Sequence, residues 1–172
     1  ALSCLRLPHV YGARDLIFEQ IRRGRAIFPG AGKNLYGHLH SEDAARVILA
    51  LAEKRWQGRS AVADSSPATW NELFDVVRRY YPSFRLLRIP QPLAILGTSL
   101  LGLIRLSQAR PMLFTPDAVR GSNLQLPVSP DLLWPDLDLK PRYPSIHQGV
   151  PAALDECIAF RWSHPLADRS RG

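Results

Sequence analysis

Side chains that bind metals and transfer protons cluster in one short stretch of the chain. His38 and His40 lie two residues apart, and Glu42 and Asp43 follow them closely. Spacing by two along a strand places both imidazoles on the same face of it. A metal site needs a third convergent ligand, and the pattern supplies none. We therefore predict that these residues pack against neighbours and cap the next helix, and we predict no metal site.

The sequence contains no pattern for binding a dinucleotide pyrophosphate. Such a site needs glycines that let the backbone approach the phosphates, followed by a helix whose N-terminus points at them. No Gly-x-x-Gly-x-x-Gly occurs, and the short run Gly30-Ala31-Gly32 lies between two extended stretches, not before a helix. A phosphate-binding loop of this kind is therefore absent from the chain.

Composition narrows the class of protein. The chain has 172 residues, 46% of them hydrophobic, and a formal charge of +7. One interpretation of the excess of basic residues is that it attracts nucleic acid, anionic lipid or phosphorylated ligands. The second is that these residues form a solvated surface whose acidic counterpart lies in another part of the protein. We favour the second interpretation and expect no nucleic-acid partner. Cys4 and Cys157 form neither a disulfide framework nor a zinc-ligand set, and no secretory pattern opens the chain, so we expect a cytoplasmic protein.

Hydrophobic periodicity predicts strands and helices in alternation. Extended stretches are expected at 5–10, 26–29, 35–40, 60–63 and 85–89, with 26–29 and 35–40 forming a small hairpin. Helices are expected over 15–23 and 92–107. Two more should begin at caps, one at the N-cap Ser41 and one at the capping box of Thr69 and Glu72. A further helix should start at Thr115, and the last should lie near the end of the chain. The apolar run at 93–104 is 12 residues long, whereas a membrane span needs about 20. It predicts a buried or membrane-touching helix.

Three segments in order resemble the extended short-chain dehydrogenase/reductase family. The first is Leu5-Arg6-Leu7-Pro8-His9-Val10-Tyr11-Gly12, similar to the family's Leu-Arg-Pro-x-x-Val-Tyr-Gly. The second joins the Gly30-Ala31-Gly32 turn to His38-Leu39-His40-Ser41-Glu42-Asp43-Ala44, which resembles the family's His-Val-x-Asp-x-Ala. The third is Thr69-Trp70-Asn71-Glu72-Leu73, similar to its Thr-x-x-Glu-Leu helix start.

The resemblance implies an α/β fold that forms the C-terminal part of a Rossmann-type enzyme with a small mixed α/β substrate-binding domain. Residues 1–12 would be the last strands of the Rossmann domain, 13–162 the substrate-binding part and 163–172 a polar tail. The chain opens in an apolar run, which indicates that an N-terminal half precedes it; a processed or tagged N-terminus is the alternative. The family's Tyr-x-x-x-Lys acid–base pair does not occur in the sequence. We therefore expect the isolated chain to be inactive.

The family arrangement also implies the site residues. The turn at Pro8, His9 and Val10 would lie beside the nicotinamide of NAD or NADP, whose remainder the missing half would bind. Substrate would contact the residues on the far wall of the pocket, Tyr11, Arg14, Tyr36 and Arg110.

Tyr36 stands where the nucleotide-sugar branch of the family commonly has a phosphate-binding arginine, which favours an apolar substrate. The leading hypothesis is an oxidoreductase acting on a hydroxyl or carbonyl of a steroid- or flavonoid-like molecule. The alternatives are a nucleotide-sugar epimerase or dehydratase and a non-catalytic basic binding domain. Peripheral membrane contact and a homodimer of the full-length protein are left open.

Overall fold

Short strands pair mostly in parallel, as the α/β pattern predicts. The computed structural model describes residues 3–105, 115–126 and 133–159. Within them, β1 pairs with β6, β2 with β5 and β3 with β8 in parallel, and β4 pairs with β7 antiparallel. The strands are β1 Ser3–Arg6, β2 His9–Tyr11, β3 Arg25–Pro29, β4 Leu35–Tyr36, β5 His38–His40, β6 Gly58–Ala61, β7 Ala68–Thr69 and β8 Arg85–Ile89.

Six helices connect and cover these strands in the described part of the chain. They are α1 Leu16–Arg22, α2 Ser41–Glu53, α3 Trp70–Tyr80, α4 Gln91–Arg105, α5 Pro116–Ser122 and α6 Ile146–Ala159. The capping box predicted at the start of α3 is present, since Thr69 Oγ1 accepts from Glu72 N–H at 3.2 Å and Glu72 Oε2 accepts from Thr69 N–H at 2.6 Å. Thr115 caps α5 in the same way, by accepting from Ala118 N–H at 3.1 Å.

The predicted N-cap of α2 is off by one residue. His40, not Ser41, is the N-cap: its backbone is extended, and its ring Nδ1 accepts from Glu42 N–H at 3.3 Å. Ser41 is the first helical residue, and its hydroxyl lies so close to Gly12 that a side chain at position 12 would overlap it. The histidine therefore takes the role that propensity assigns to serine, because the chain leaves β5 with His40 still extended.

The predicted hairpin between 26–29 and 35–40 is wrong. Gly30 N–H donates to Ile89 O at 2.8 Å, which continues the β3–β8 pairing beyond Pro29. The chain therefore does not turn back after Pro29 to pair with 35–40. The second extended stretch divides into β4 and β5, which pair with β7 and β2. Each half of the expected hairpin thus finds a partner distant in sequence.

Two apolar clusters fill the interior of the described residues. The larger is built from α1, β3, α3 and α6 and includes Phe18, Trp70 and Leu154. The smaller packs α2 against the 133–137 segment and includes Val47 and Trp134. In the part of the chain that the structure describes, no helix combines the length and apolarity that a membrane crossing requires.

Candidate functional site

The candidate site lies where two paired parallel strands end. After β1 ends at Arg6, the chain continues through Pro8 to His9, and after β6 ends at Ala61 it continues to Asp64. Ligands in open α/β sheets bind in the crevice at the carboxyl ends of the strands. Residues 8–10 and Asp64 therefore follow the edge at which a ligand is expected.

His9 turns its ring inward from this edge. Its Nδ1 lies 3.0 Å from Nδ1 of His38, and its Nε2 lies 3.4 Å from Asp15 Oδ2 without a hydrogen bond between them. Burial, reinforced by His9, holds the pKa of His38 well below its usual value. His38 is therefore a neutral imidazole, whose Nδ1 either donates to or accepts from His9 according to its tautomer.

Trp70 organises the rings around His9. Trp70 is the first residue of α3, directly after the N-cap Thr69, and is 4% exposed. Its ring centroid lies 4.6 Å from that of His9 and 5.1 Å from that of Tyr36. Tyr36 is half-buried, and burial raises its pKa. Trp70 thus brings together a residue predicted on the cofactor side and one predicted on the substrate side.

Tyr11 is placed in the core. It is 0% exposed, and its ring lies between Phe18 and His40, with centroid distances of 6.2 and 5.5 Å. Its hydroxyl lies against the backbone of Gly149 on α6, where a methyl group would overlap it. Burial, and next the charge of Asp64, raise the pKa of Tyr11 far above its usual value. Tyr11 therefore keeps its phenolic proton at neutral pH.

Asp64 was not singled out by the sequence, although an aspartate directly after an apolar strand is a visible signal. It is 0% exposed, its N–H donates to His38 O at 2.8 Å, and neither carboxyl oxygen has a hydrogen-bond partner in the described residues. Burial, and next the charge of Asp43, raise the pKa of Asp64 to about 8. Its carboxyl group is therefore mostly protonated at pH 7 and is able to donate a proton.

Several further buried polar atoms in this region lack partners among the described residues: His9 Nε2, Tyr11 Oη, His38 Nε2, His40 Nε2 and Trp70 Nε1. A buried polar atom without a partner destabilises a fold by roughly 1–3 kcal/mol. Such groups, together with shifted pKa values, are characteristic of functional sites. No group of three or more metal-ligating side chains occurs within the described ranges, including around His38 and His40.

The remaining predicted residues are less informative. Pro8 and Val10 are half-buried, and Arg14 is exposed in the loop between β2 and α1. Arg110 lies outside the described residues. The assignment of cofactor or substrate contacts to these positions stays a prediction.

A small cavity of about 100 Å³ adjoins the cluster, and Trp70 forms part of its wall. Ile17, Phe28, Phe74 and Ala118 line most of the rest, and Gln20 and Ser122 are its polar residues. Gln20 Oε1 already accepts from Ile27 N–H at 2.9 Å. The cavity is therefore suited to an apolar group more than to a charged one.

Comparison with solved structures finds the same fold in larger enzymes. MoeE5 in complex with UDP-glucose and NAD superposes with a TM-score of 0.62 at 16% identity, over 92% of this chain and 48% of that one. ADP-L-glycero-D-manno-heptose-6-epimerase from Helicobacter pylori gives 0.59 at 16%, over 91% and 44%. dTDP-glucose 4,6-dehydratase from Bacillus anthracis with NAD gives 0.61 at 13%, over 94% and 46%.

No protein-family model matches the sequence, and no curated protein is significantly similar to it. The chain spans about half the length of the solved structures it matches. The predicted fold class is confirmed: the chain has an α/β fold that matches about half of each of these Rossmann-type enzymes.

Proposed function

We propose that the chain is the substrate-side part of an NAD- or NADP-dependent oxidoreductase that acts on a hydroxyl or carbonyl of an apolar small molecule. The fold likeness over more than nine-tenths of the chain supports the oxidoreductase. The choice of an apolar substrate rests on the cavity beside Trp70, whose volume of about 100 Å³ has room for a small apolar group of the substrate and not for the whole molecule. Tyr36, which packs on the same tryptophan, offers an aromatic ring where a phosphate-bearing substrate would require a cation.

The chain's residues fit only the nicotinamide end of the cofactor. Residues 8–10 follow the carboxyl end of β1, where they would line the nicotinamide, and the sequence has no glycine loop to receive the pyrophosphate. When bound there, the nicotinamide would supply or accept a hydride. Tyr11, Arg14, Tyr36 and Arg110 would contact the substrate. The acid–base pair would come from the preceding half of the protein, so the isolated chain would bind substrate without turning it over.

A nucleotide-sugar epimerase or dehydratase is the second candidate. The solved structures of similar fold favour it, since one holds UDP-glucose and another is a dTDP-glucose dehydratase. Such a substrate needs cations for its two phosphates. The exposed Arg14 and the Arg110 position would have to supply them.

Tryptophan fluorescence and thermal shift distinguish the candidates on the 172-residue chain. We expect a hydroxysteroid or a flavonoid to quench fluorescence and raise the melting temperature saturably. The W70F variant should lose most of this quenching, because Trp70 forms the cavity wall. The W134F variant is the matched control, since Trp134 is equally buried in the other core cluster.

Two outcomes would overturn the apolar assignment. Saturable binding of UDP-glucose, without binding of the apolar ligands, would favour the second candidate. Quenching that W134F removes and W70F keeps would place the ligand away from the cavity. The oxidoreductase assignment fails separately if the coding region before Ala1 lacks a glycine-rich phosphate loop and a Tyr-x-x-x-Lys.

A further inference from the structure

The β3–β8 ribbon has an outer face that is cationic at one end and apolar at the other. In its register Arg25 is opposite Arg85, and two residues further along Ile27 is opposite Leu87. Alternate residues of a strand share a face. All four are exposed, with Ile27 at 47% and Leu87 at 59%. The intervening Ala26 and Phe28 are buried on the inner face.

This arrangement is unfavourable for the chain alone. Like charges directly opposite each other on neighbouring strands destabilise a sheet. Neither Arg25 nor Arg85 has an ion-pair partner among the residues that the structure describes, whereas the adjoining Arg23 pairs with Glu19. The three arginines, Ile27 and Leu87 line a surface concavity of about 660 Å³. An anion between the guanidinium groups would relieve the repulsion.

Helix α4 adds a second exposed apolar face. It begins two residues after β8 ends, and its Leu93, Leu96, Leu100 and Leu101 are 60, 57, 52 and 49% exposed. Residues 76–116, which include both β8 and α4, contain six arginines and not one Asp or Glu. Exposed leucines and a local excess of arginine over acidic residues therefore occur in one continuous part of the sequence, although Arg78 pairs with Asp75 just before it.

We propose that the β3–β8 ribbon and the exposed face of α4 bind the surface of a membrane that contains anionic phospholipid. The leucines would enter the boundary between headgroups and acyl chains, and Arg25 and Arg85 would bind lipid phosphates. Charge complementarity selects this partner: a dissolved anion would leave the leucines exposed, and an uncharged apolar partner would leave the arginine pair unopposed. The surface lies outside the cluster of His9, His38 and Asp64, although Ile27 also lines the cavity beside Trp70. Vesicle binding requires no turnover, so its test is separate from that of the proposed activity.

Vesicle co-sedimentation of the 172-residue chain tests the proposal. We expect binding to vesicles of phosphatidylcholine mixed with phosphatidylglycerol, little binding to phosphatidylcholine alone, and release as salt is raised. R25Q/R85Q should weaken partitioning by at least about fivefold. R55Q/R59Q removes the same charge from exposed positions at and just before β6 and should have a much smaller effect.

A second pair of variants tests the apolar contribution. L93S/L96S should weaken partitioning by about tenfold, whereas I48S/L49S, which removes two equally exposed apolar side chains from α2, should leave it nearly unchanged. All four variants change exposed side chains. Three of them should melt close to the parent chain, and R25Q/R85Q should melt at the same temperature or slightly higher because it removes the repulsion between the two arginines. An unfolded variant is replaced by the single substitutions of the same residues.

Several results would overturn the proposal: no sedimentation with anionic vesicles, equal binding to neutral ones, or equal losses in the test and control variants. Displacement by inorganic phosphate at constant ionic strength would instead show a site for a free anion. Self-association without vesicles that L93S/L96S abolishes would assign the face to a second copy of the chain.

Discussion

Asp43 and Asp64 are both fully buried, but their carboxyl groups differ in hydrogen bonding. Asp43 Oδ1 accepts from an Arg46 guanidinium N–H at 2.7 Å and from Arg142 N–H at 2.9 Å, and its Oδ2 accepts from Tyr143 N–H at 2.8 Å. Asp64 has no carboxyl partner in the described residues. The Asp43 carboxylate therefore joins α2 to the segment before α6, whereas the Asp64 carboxyl group joins no two elements of the described chain.

The two buried tryptophans repeat this contrast. Trp134 and Trp70 are each 4% exposed. Trp134 Nε1–H donates to Ala63 O at 2.9 Å, whereas Trp70 Nε1 has no partner in the described part of the chain. The smaller core cluster is thus arranged for stability, while the region around Trp70 retains unsatisfied polar groups. Regions whose buried polar atoms lack hydrogen bonds, at a cost in stability, are candidates for function.

Removing the well-bonded aspartate should have the largest effect. D43A leaves two backbone N–H groups without their acceptor and removes the carboxylate partner of Arg46, which keeps only Lys140 O as an acceptor. We therefore expect the free energy of unfolding to fall by roughly 3–5 kcal/mol. Urea denaturation measures this. D75A, which breaks only the surface pair of Asp75 with Arg78, is the control, with an expected loss of about 0–1 kcal/mol. Equal losses would contradict a structural role for Asp43.

Asp64 should instead make stability fall as pH rises. Its pKa in the folded chain, about 8, exceeds the ordinary value of 3.8 that applies when it is unfolded. Between these two pH values the folded chain holds a proton on Asp64 that the unfolded chain has lost. The contribution of this proton to the free energy of unfolding is therefore complete below pH 3.8 and is lost as the pH rises toward 8. The slope is at most about 1.4 kcal/mol per pH unit.

The D64N variant should remove this slope, because its amide does not titrate. Urea denaturation of both proteins at a series of pH values measures the difference, which should shift in favour of D64N as pH increases. A difference that stays constant from acid to neutral pH would show that Asp64 ionises normally in the folded chain.

The smallest expected effect is the difference in the free energy of unfolding between variants of the two buried tryptophans. W134F loses a buried hydrogen bond and leaves Ala63 O without its donor, whereas W70F loses no hydrogen bond among the described residues. We expect W134F to be less stable than W70F by about 1 kcal/mol. Thermal or urea denaturation of the two variants measures it, and a more stable W134F would contradict the contrast between the two regions.

Features that depend on neighbouring residues could be predicted from the sequence. The capping box at Thr69, the helix start at Thr115 and the strand at 85–89 are confirmed. The N-cap of α2 was predicted one residue late, because the extended path out of β5 overrides the capping preference of Ser41. The fold class followed from three short segments whose order resembles one family.

The site is harder to predict because its properties arise between distant residues. His9 was expected beside the cofactor, but its contacts with Asp15, His38 and Trp70 depend on the packing of three separate elements. The position of Asp64 directly after an apolar stretch is visible in the sequence, but the closeness of its buried carboxyl group to the charge of Asp43 is not.

The sequence by itself determined the alternation of strands and helices, their capping and the absence of a pyrophosphate loop, because each depends on residues within a few positions of one another. Only the tertiary structure decided which strands pair, and so replaced the expected hairpin with the β3–β8 ribbon and its opposed arginines. It alone also decided that Asp43 is fully bonded and Asp64 is not. The physical reason is that burial, charge proximity and strand partnership are set by long-range packing, which local sequence patterns do not specify.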